Sequence, residues 1–395
     1  MEALEPLSIY FHIPFCKRRC GYCDFNTFSG MDSLIPDYFE SLRTELIEVS
    51  NYFNNKPKVY TLFFGGGTPS IIPIQEYEKL FDTINELFSV ELDSEISMEI
   101  NPGTITVDYL AGLRQLGVNR LSIGAQSMDD SELKLLERIH NREEVIDSIK
   151  NARKAYFDNI NIDLIYGLPY QEMTTWNKSL NEIKAIYPEH ISLYALTIEK
   201  DTPFYEYVLN KEMAVPNVDT AADMFEWSRS ELAKSGYYHY EISNWAKCDF
   251  ECVHNKQYWY NNNYLGIGAG AHSHYNNRRY SNVNGIKEYI QMINKGKSTE
   301  KSSKMIFPYS SAKNSLHFQK KNERMQESMM LGLRLTEEGV SVKTFRKRFG
   351  KDMKRVFINE IDELIEKKLV EWNQDSLRLT QRGQTIGNQV FLKFI

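Results

Sequence analysis

Cys16, Cys20 and Cys23 fall within eight residues of one another in the stretch HIPFCKRRCGYCDF. Three thiolates on one tight loop can hold three irons of a cubane iron-sulfur cluster and leave the fourth iron open to a small molecule. The alternative is a structural zinc ion, which normally closes with four ligands. Here the fourth would have to be His12, or the distant Cys248 or Cys252. That missing ligand favours the cluster.

A loop of this kind needs a rigid support. It directly follows Leu7 to His12, a short apolar run bounded by turn residues that reads as a buried strand. Tyr60 to Phe64, Ile96 to Ile100, Arg120 to Ile123, Ile160 to Ile165 and His190 to Leu196 read the same way. Between them Pro36 to Tyr52, Ile74 to Phe88, Val107 to Leu116, Glu143 to Tyr156 and Thr174 to Ile186 carry helical patterns. Strands alternating with helices of this length call for parallel βαβ units with right-handed crossovers. The expected fold class is α/β, a partial (β/α)6 TIM-like barrel. Two more strands would complete an eightfold barrel, but the rhythm breaks after Leu196.

Ligands of such folds sit at the C-terminal ends of the strands. The cysteines lie at that end of the first strand. Gly65-Gly66-Gly67-Thr68-Pro69 ends the second, Glu99-Ile100-Asn101-Pro102 the third and Gly124-Ala125-Gln126 the fourth, while the fifth contains Asp163. The glycine run lacks the lysine of a P-loop. It reads as a tight turn or as a place where backbone can approach a ligand closely. Glu99, Gln126 and Asp163 alone could be helix caps; their shared position beside the cysteines argues for one site.

With 395 residues, 42% hydrophobic and 13% aromatic, the chain can build two or three domains. Five cysteines, three of them already placed, imply no disulfide framework and point to a reducing interior. MEALEPLSIY has no basic region followed by a long apolar run, and no stretch reaches eighteen uninterrupted apolar residues, so a cytoplasmic location is expected. The net charge of −6 divides unevenly: residues 301–395 carry 19 Lys+Arg against 11 Asp+Glu, a net of +8, leaving −14 on residues 1–300.

Beyond the barrel, Cys248 and Cys252 could join His254 in a metal site, but their spacing fits no strong zinc pattern. Gly266, Gly268 and Gly270 read as a close-packed strand, with His272 and His274 structural. A polar stretch rich in Ser and Lys, about 295–321, reads as a linker or long loop. Glu323 to Leu335, Val342 to Phe349 and Lys354 to Lys367 look helical, and Leu369 to Thr380 a hairpin, which together resemble a winged helix. The basic run Arg346-Lys347-Arg348 leaves a membrane surface or an acidic partner open.

Cys16-x3-Cys20-x2-Cys23, with Tyr22 before the last cysteine, resembles the signature of the radical S-adenosylmethionine (SAM) superfamily. IYFHIPFC, FFGGGTPS, MEINPG, SIGAQS and NIDLIYGLP extend the resemblance to the branch holding oxygen-independent coproporphyrinogen III oxidase and the HemW-type haem chaperones. The resemblance implies that Cys16, Cys20 and Cys23 bind a 4Fe-4S cluster whose open iron takes SAM. It implies that Tyr10, Gly66, Gly67, Thr68, Glu99, Gln126, Arg138 and Asp163 surround SAM. The oxidase pattern has a further cysteine two residues past the third ligand and an N-terminal extension; here Phe25 holds the cysteine's place and the chain starts close to its first strand. His254-Asn255-Lys256-Gln257-Tyr258-Trp259 matches the HNxxYW motif of the chaperones. That match makes His254 the expected haem ligand, with Asn255, Tyr258 and Trp259 as its motif partners.

The expected layout is a barrel with the cluster and SAM site over 1–200, an extension carrying the haem motif over 201–296, a linker over 297–322 and a winged-helix-like domain over 323–395. The expected function is a haem chaperone serving recipient haemoproteins of the respiratory chain, without coproporphyrinogen oxidase activity and without a nucleic-acid partner. A homodimer and a peripheral contact with the inner face of a membrane stay open. The alternatives are a radical SAM decarboxylase of a porphyrinogen and a zinc-stabilised winged-helix regulator.

Overall fold

Six short apolar segments form the centre of the molecule: β1 (Leu7–Ile13), β2 (Lys58–Gly66), β3 (Ser89–Ile100), β4 (Arg120–Gln126), β5 (Ile160–Tyr166) and β6 (His190–Ala195). They lie side by side in chain order, every pair parallel. β1 is buried on both faces, as a parallel strand covered on both sides must be. Helices α1 (Ile35–Ser50), α2 (Ile74–Leu87), α3 (Val107–Gln115), α4 (Asp130–Leu135), α5 (Arg142–Lys154) and α6 (Met173–Ile186) make the crossovers. The computed structural model describes residues 7–298 and 307–395.

The two strand faces differ in chemistry. Leu62 and Phe64 of β2 and Met98 of β3 enter the apolar layer beneath the helices. The opposite face carries Thr61 opposite Glu95, Ser97 opposite Arg120, Glu99 opposite Ser122, and Asp163 opposite Ser192. Residues two apart share a face, so this partial (β/α)6 barrel has a polar interior with Glu99 and Asp163 near its open end.

After α7 (Pro203–Leu209) and α8 (Val218–Lys234), β7 (Tyr238–Glu241) and β8 (Asn244–Ala246) extend the sheet antiparallel beyond β6. Helix α9 (Val253–Trp259) then leads to β9 (Tyr264–Ile267), which pairs parallel with the free side of β1. The broken rhythm after Leu196 concealed this seventh parallel strand, which is four residues long and contains Gly266. A Cβ on Gly266 would meet the His272 carbonyl oxygen at 2.1 Å. Antiparallel β10 (His272–Tyr275) and β11 (Arg278–Asn282), followed after helix α10 (Ile286–Ser298) by antiparallel β12 (Lys313–Phe318), complete a twelve-stranded sheet.

β12 falls inside the segment 297–322 expected as a linker, of which 299–306 lie outside the described residues. Its sequence KNSLHF is exposed along almost its whole length, so an edge strand has the composition of a loop.

A second core holds the C-terminal domain. It contains α11 (Lys321–Gly332), the short strand β13 (Val340–Ser341), α12 (Val342–Phe349), α13 (Met353–Val356), α14 (Ile358–Glu366) and the wing strands β14 (Val370–Asn373) and β15 (Ser376–Leu379). The single helix expected over 354–367 is broken at Phe357, whose ring packs on Phe345 and Phe394. The surface of α12 and α13 presents Lys343, Arg346, Lys347, Lys354 and Arg355, whereas α14 carries Glu360, Asp362, Glu363 and Glu366. Among the described residues no helix is long and apolar enough to cross a membrane.

Glu45 ties α1 to the later part of the sheet. Its buried carboxylate accepts from the Gly268 N–H (2.8 Å), Asn282 Nδ2 (2.7 Å), the Tyr289 hydroxyl (2.6 Å) and the Ser310 hydroxyl (2.7 Å). Burial pushes its pKa up to about 7 against the pull of these donors. The folded form therefore holds this proton more tightly than the unfolded chain. The stabilisation is complete below the unfolded value of 4.5 and is lost as pH rises to about 7. Glu45→Gln, followed by urea unfolding at pH 5 and pH 8, is expected to remove a decline of about 3 kcal/mol that the parent shows between those pH values; an identical decline in both proteins contradicts this account.

Candidate functional site

The cysteine loop is held at its base by backbone. The chain turns at Pro14, and Phe15–Cys16 pairs parallel with Phe28–Ser29 to close the loop. The Gly67 N–H donates to the Ile13 carbonyl (2.9 Å) and the Thr68 N–H to the Phe15 carbonyl (2.8 Å). A Cβ on Gly67 would sit 2.7 Å from the Phe15 oxygen and 2.8 Å from the Ile13 oxygen. Only glycine allows this approach. Gly66, at φ +114°, lies against the His12 ring and donates its N–H to Glu99 (2.8 Å). The glycine run thus joins β2 to the cysteine loop.

Side chains finish the loop. The Thr68 hydroxyl donates to Cys16 Sγ at 3.5 Å, and Arg138 Nη1 lies 3.4 Å from Cys20 Sγ. From α7, Phe204 donates its N–H to the Gly21 carbonyl (3.0 Å) and sets its ring edge-on to Tyr22. Burial pushes the pKa of the Cys16 and Cys23 thiols up, so deprotonation there calls for a bound cation.

The three cysteines line a cavity of about 390 Å³ whose wall also holds Gly66, Gly67, Thr68, Glu99, Gln126, Arg138 and Asp163. Arg138 spans it: Nη2 donates to the Gly124 carbonyl (3.0 Å) and to Asn101 Oδ1. Asp163 accepts from Ser122 (3.0 Å) and from Asn161 (2.8 Å). Gln126 is left-handed at φ +67°, a conformation most side chains avoid. Burial raises Glu99 to about 7, helped by the neighbouring Asp163 charge and opposed by the Gly66 N–H. Asp163 also moves up through burial. Two half-buried carboxylates, a fork-shaped cation and three thiols suit a ligand bearing an ammonium group, hydroxyls and a carboxylate, bound beside a three-thiol cluster. The donor set fits a 4Fe-4S cluster held by Cys16, Cys20 and Cys23. Such a cluster supplies one-electron chemistry when bound.

Tyr10 stands outside this wall, with its hydroxyl 3.0 Å from His12 Nδ1. The residues that could complete a zinc site are engaged elsewhere. His12 Nε2 meets the Asn26 carbonyl (2.9 Å), Cys248 is exposed, and Cys252 is buried against Glu95 (3.5 Å).

His254 is not brought to this cavity. Glu95 of β3 accepts the N–H groups of Val253 (2.8 Å) and His254 (3.0 Å), fixing the first turn of α9 on the polar inner face of the sheet. The His254 ring is 5.1 Å from Phe63, and both its nitrogens are used: Nδ1 with the Thr61 hydroxyl at 2.7 Å, Nε2 with the Tyr258 hydroxyl at 2.9 Å. Burial and the Arg120 charge lower it to about 3, so the ring is neutral. The ligand role expected of His254 would require one of these two hydrogen bonds to be given up. Thr61 precedes Gly66 by five residues on β2, a rise of about 16 Å. Asn255 and Tyr258 are part-buried on the same helix, and Trp259 faces the C-terminal domain.

Several contributors were not singled out from sequence: Asn101 on Arg138, Phe204 on the cysteine loop, and Glu95 on α9. Asn101 had a signal, its place at the end of the third strand. Phe204 had none, since it comes from a helix remote in sequence.

The fold and the three-thiol cavity define a radical SAM protein. Residues 10–183 match the Radical SAM superfamily, and residues 319–386 match the HemN C-terminal domain. Two relatives align over nearly the whole chain, both named heme chaperone HemW. That of Bacillus subtilis is 36% identical over 98% of this chain and 99% of its own. That of Lactococcus lactis is also 36% identical, over 99% of this chain and 98% of its own. This chain belongs to the HemW family of radical SAM proteins. The solved coproporphyrinogen III oxidase (HemN) of Escherichia coli shares its fold, with a TM-score of 0.83 over 98% of this chain and 90% of that one at 22% identity.

Gly67→Ala places a methyl group between two carbonyls that support the cysteine loop, an overpacking worth about 1–3 kcal/mol. After anaerobic reconstitution this variant is expected to keep its far-UV circular dichroism and to retain less than half of the parent's iron and sulfide; parent-level iron contradicts the bracing role.

Proposed function

We propose that this protein is a haem chaperone, which binds haem and passes it to recipient haemoproteins, with the respiratory chain as their expected setting. The observation that carries this reading is the 36% identity, across 98% of the chain, to the protein named heme chaperone HemW in Bacillus subtilis. In this reading Cys16, Cys20 and Cys23 hold a 4Fe-4S cluster, and the cavity bounded by Glu99, Gln126, Arg138 and Asp163 holds SAM. Phe25 supports it from the other side. Its ring lines the cavity and is 64% exposed, and it offers no metal-binding atom where the porphyrinogen oxidase pattern has a cysteine.

Haemin added to the anaerobically purified full-length protein is expected to give a Soret band that persists through gel filtration and decays when an apo-haemoprotein is added. Conversion of coproporphyrinogen by reduced protein with SAM, without stable haemin binding, overturns the proposal in favour of the decarboxylase.

A further inference from the structure

The polar inner face of the barrel joins the three-thiol cavity to α9. Asp163, in the cavity wall, accepts from Asn161 Nδ2 at 2.8 Å. Asn161 Oδ1 is 2.6 Å from His190 Nδ1, His190 Nε2 is 2.7 Å from the Tyr240 hydroxyl, and that hydroxyl accepts the Cys252 N–H at 3.1 Å. Cys252 is the N-cap of α9, the helix that carries the HNxxYW sequence. A chain of hydrogen bonds thus runs from a cavity carboxylate to the haem-motif helix, and Asn161, His190, Tyr240 and Cys252 are all buried.

The chain has one direction. A carboxylate can only accept, so the Asn161 amide turns its Nδ2 to Asp163 and its oxygen to His190. His190 must then donate from Nδ1. Burial lowers the pKa of His190 and leaves its ring neutral, so Nε2 accepts and the Tyr240 hydroxyl donates to it. Each bond in such a chain polarises the next. A second path has the same ends. Glu95 accepts the N–H groups of Val253 and His254, and the buried Arg120 guanidinium is attracted by both Glu95 and Asp163. A ligand that engages Asp163 weakens its pull on Asn161 and leaves Arg120 to Glu95. Both anchors of the first turn of α9 then slacken.

We infer that His190 and Tyr240 are positioning residues that link the SAM cavity to the haem-motif helix: SAM at Asp163 loosens the first turn of α9, where His254 gives up Thr61 or Tyr258 to reach iron. This rests on the haem-chaperone reading above and adds that haem binding responds to SAM.

The test is haemin titration of the anaerobically reconstituted full-length protein with and without SAM, in the absence of reductant so that SAM stays intact. SAM is expected to tighten haemin binding at least about fivefold and to speed amide hydrogen exchange in peptides covering 252–259. Tyr240→Phe breaks the chain and is expected to bind haemin with the parent's SAM-bound affinity whether or not SAM is present. Tyr289→Phe loses instead a buried hydroxyl bonded to Glu45 and is expected to keep the SAM effect. The exchange measurement uses the parent alone, so it decides even if Tyr240→Phe does not fold. Equal haemin affinity in the parent with and without SAM, unchanged exchange over 252–259, or a SAM effect that survives in Tyr240→Phe or vanishes equally in Tyr289→Phe overturns the inference and leaves the chaperone reading standing. A parent that binds no haemin at all removes both.

Discussion

Two backbone hydrogen bonds, from Gly67 to Ile13 and from Thr68 to Phe15, fix the relation between the cysteine loop and the barrel. Everything at the open end is measured from that junction. The loop leaves β1 at Pro14 and must turn so that three sulfurs face one cavity; a loop of that length has no core of its own. The neighbouring strand supplies the support, and it can do so only because three successive residues lack side chains. The glycine run therefore has a structural reason independent of any ligand, and the same lack of bulk leaves room beside Glu99.

The second constraint is the polar lining of the barrel. Parallel strands covered by helices usually bury apolar residues on both faces. Here the inner face carries carboxylates, hydroxyls and the buried Arg120. The lining meets its hydrogen-bonding needs in two ways. Near the open end, Glu99 and Asp163 are part of the cavity wall. At depth, Glu95 is satisfied by the first turn of α9, which makes that helix a fixed plug with His254 as one of its buried polar contacts. One sheet face thus presents a cavity at one end and a closed hydrogen-bonded layer at the other.

The six parallel strands and their helices were legible because their apolar runs are short, regular and punctuated by turns. The cysteine loop and the strand-end residues followed from the rule that such folds bind at one end. Composition hid β9, where a four-residue strand contains a glycine, and β12, where an edge strand has polar residues on almost every position. His254 shows a different limit. An imidazole among aromatic residues has the same sequence appearance whether its nitrogens are open to iron or used by Thr61 and Tyr258. That distinction depends on the pairing of residues 193 positions apart, which no local pattern encodes.

The C-terminal domain separates its charges. The exposed faces of α12 and α13 are rich in lysine and arginine, while α14 carries acids. The pairing of two positive helix faces with a negative helix gives the domain an electric dipole. In the field of a charged partner such a dipole experiences a torque, which turns the molecule toward one presentation before contact. Orientation on approach is then a property of the domain's charge layout, established before any side chain touches its target.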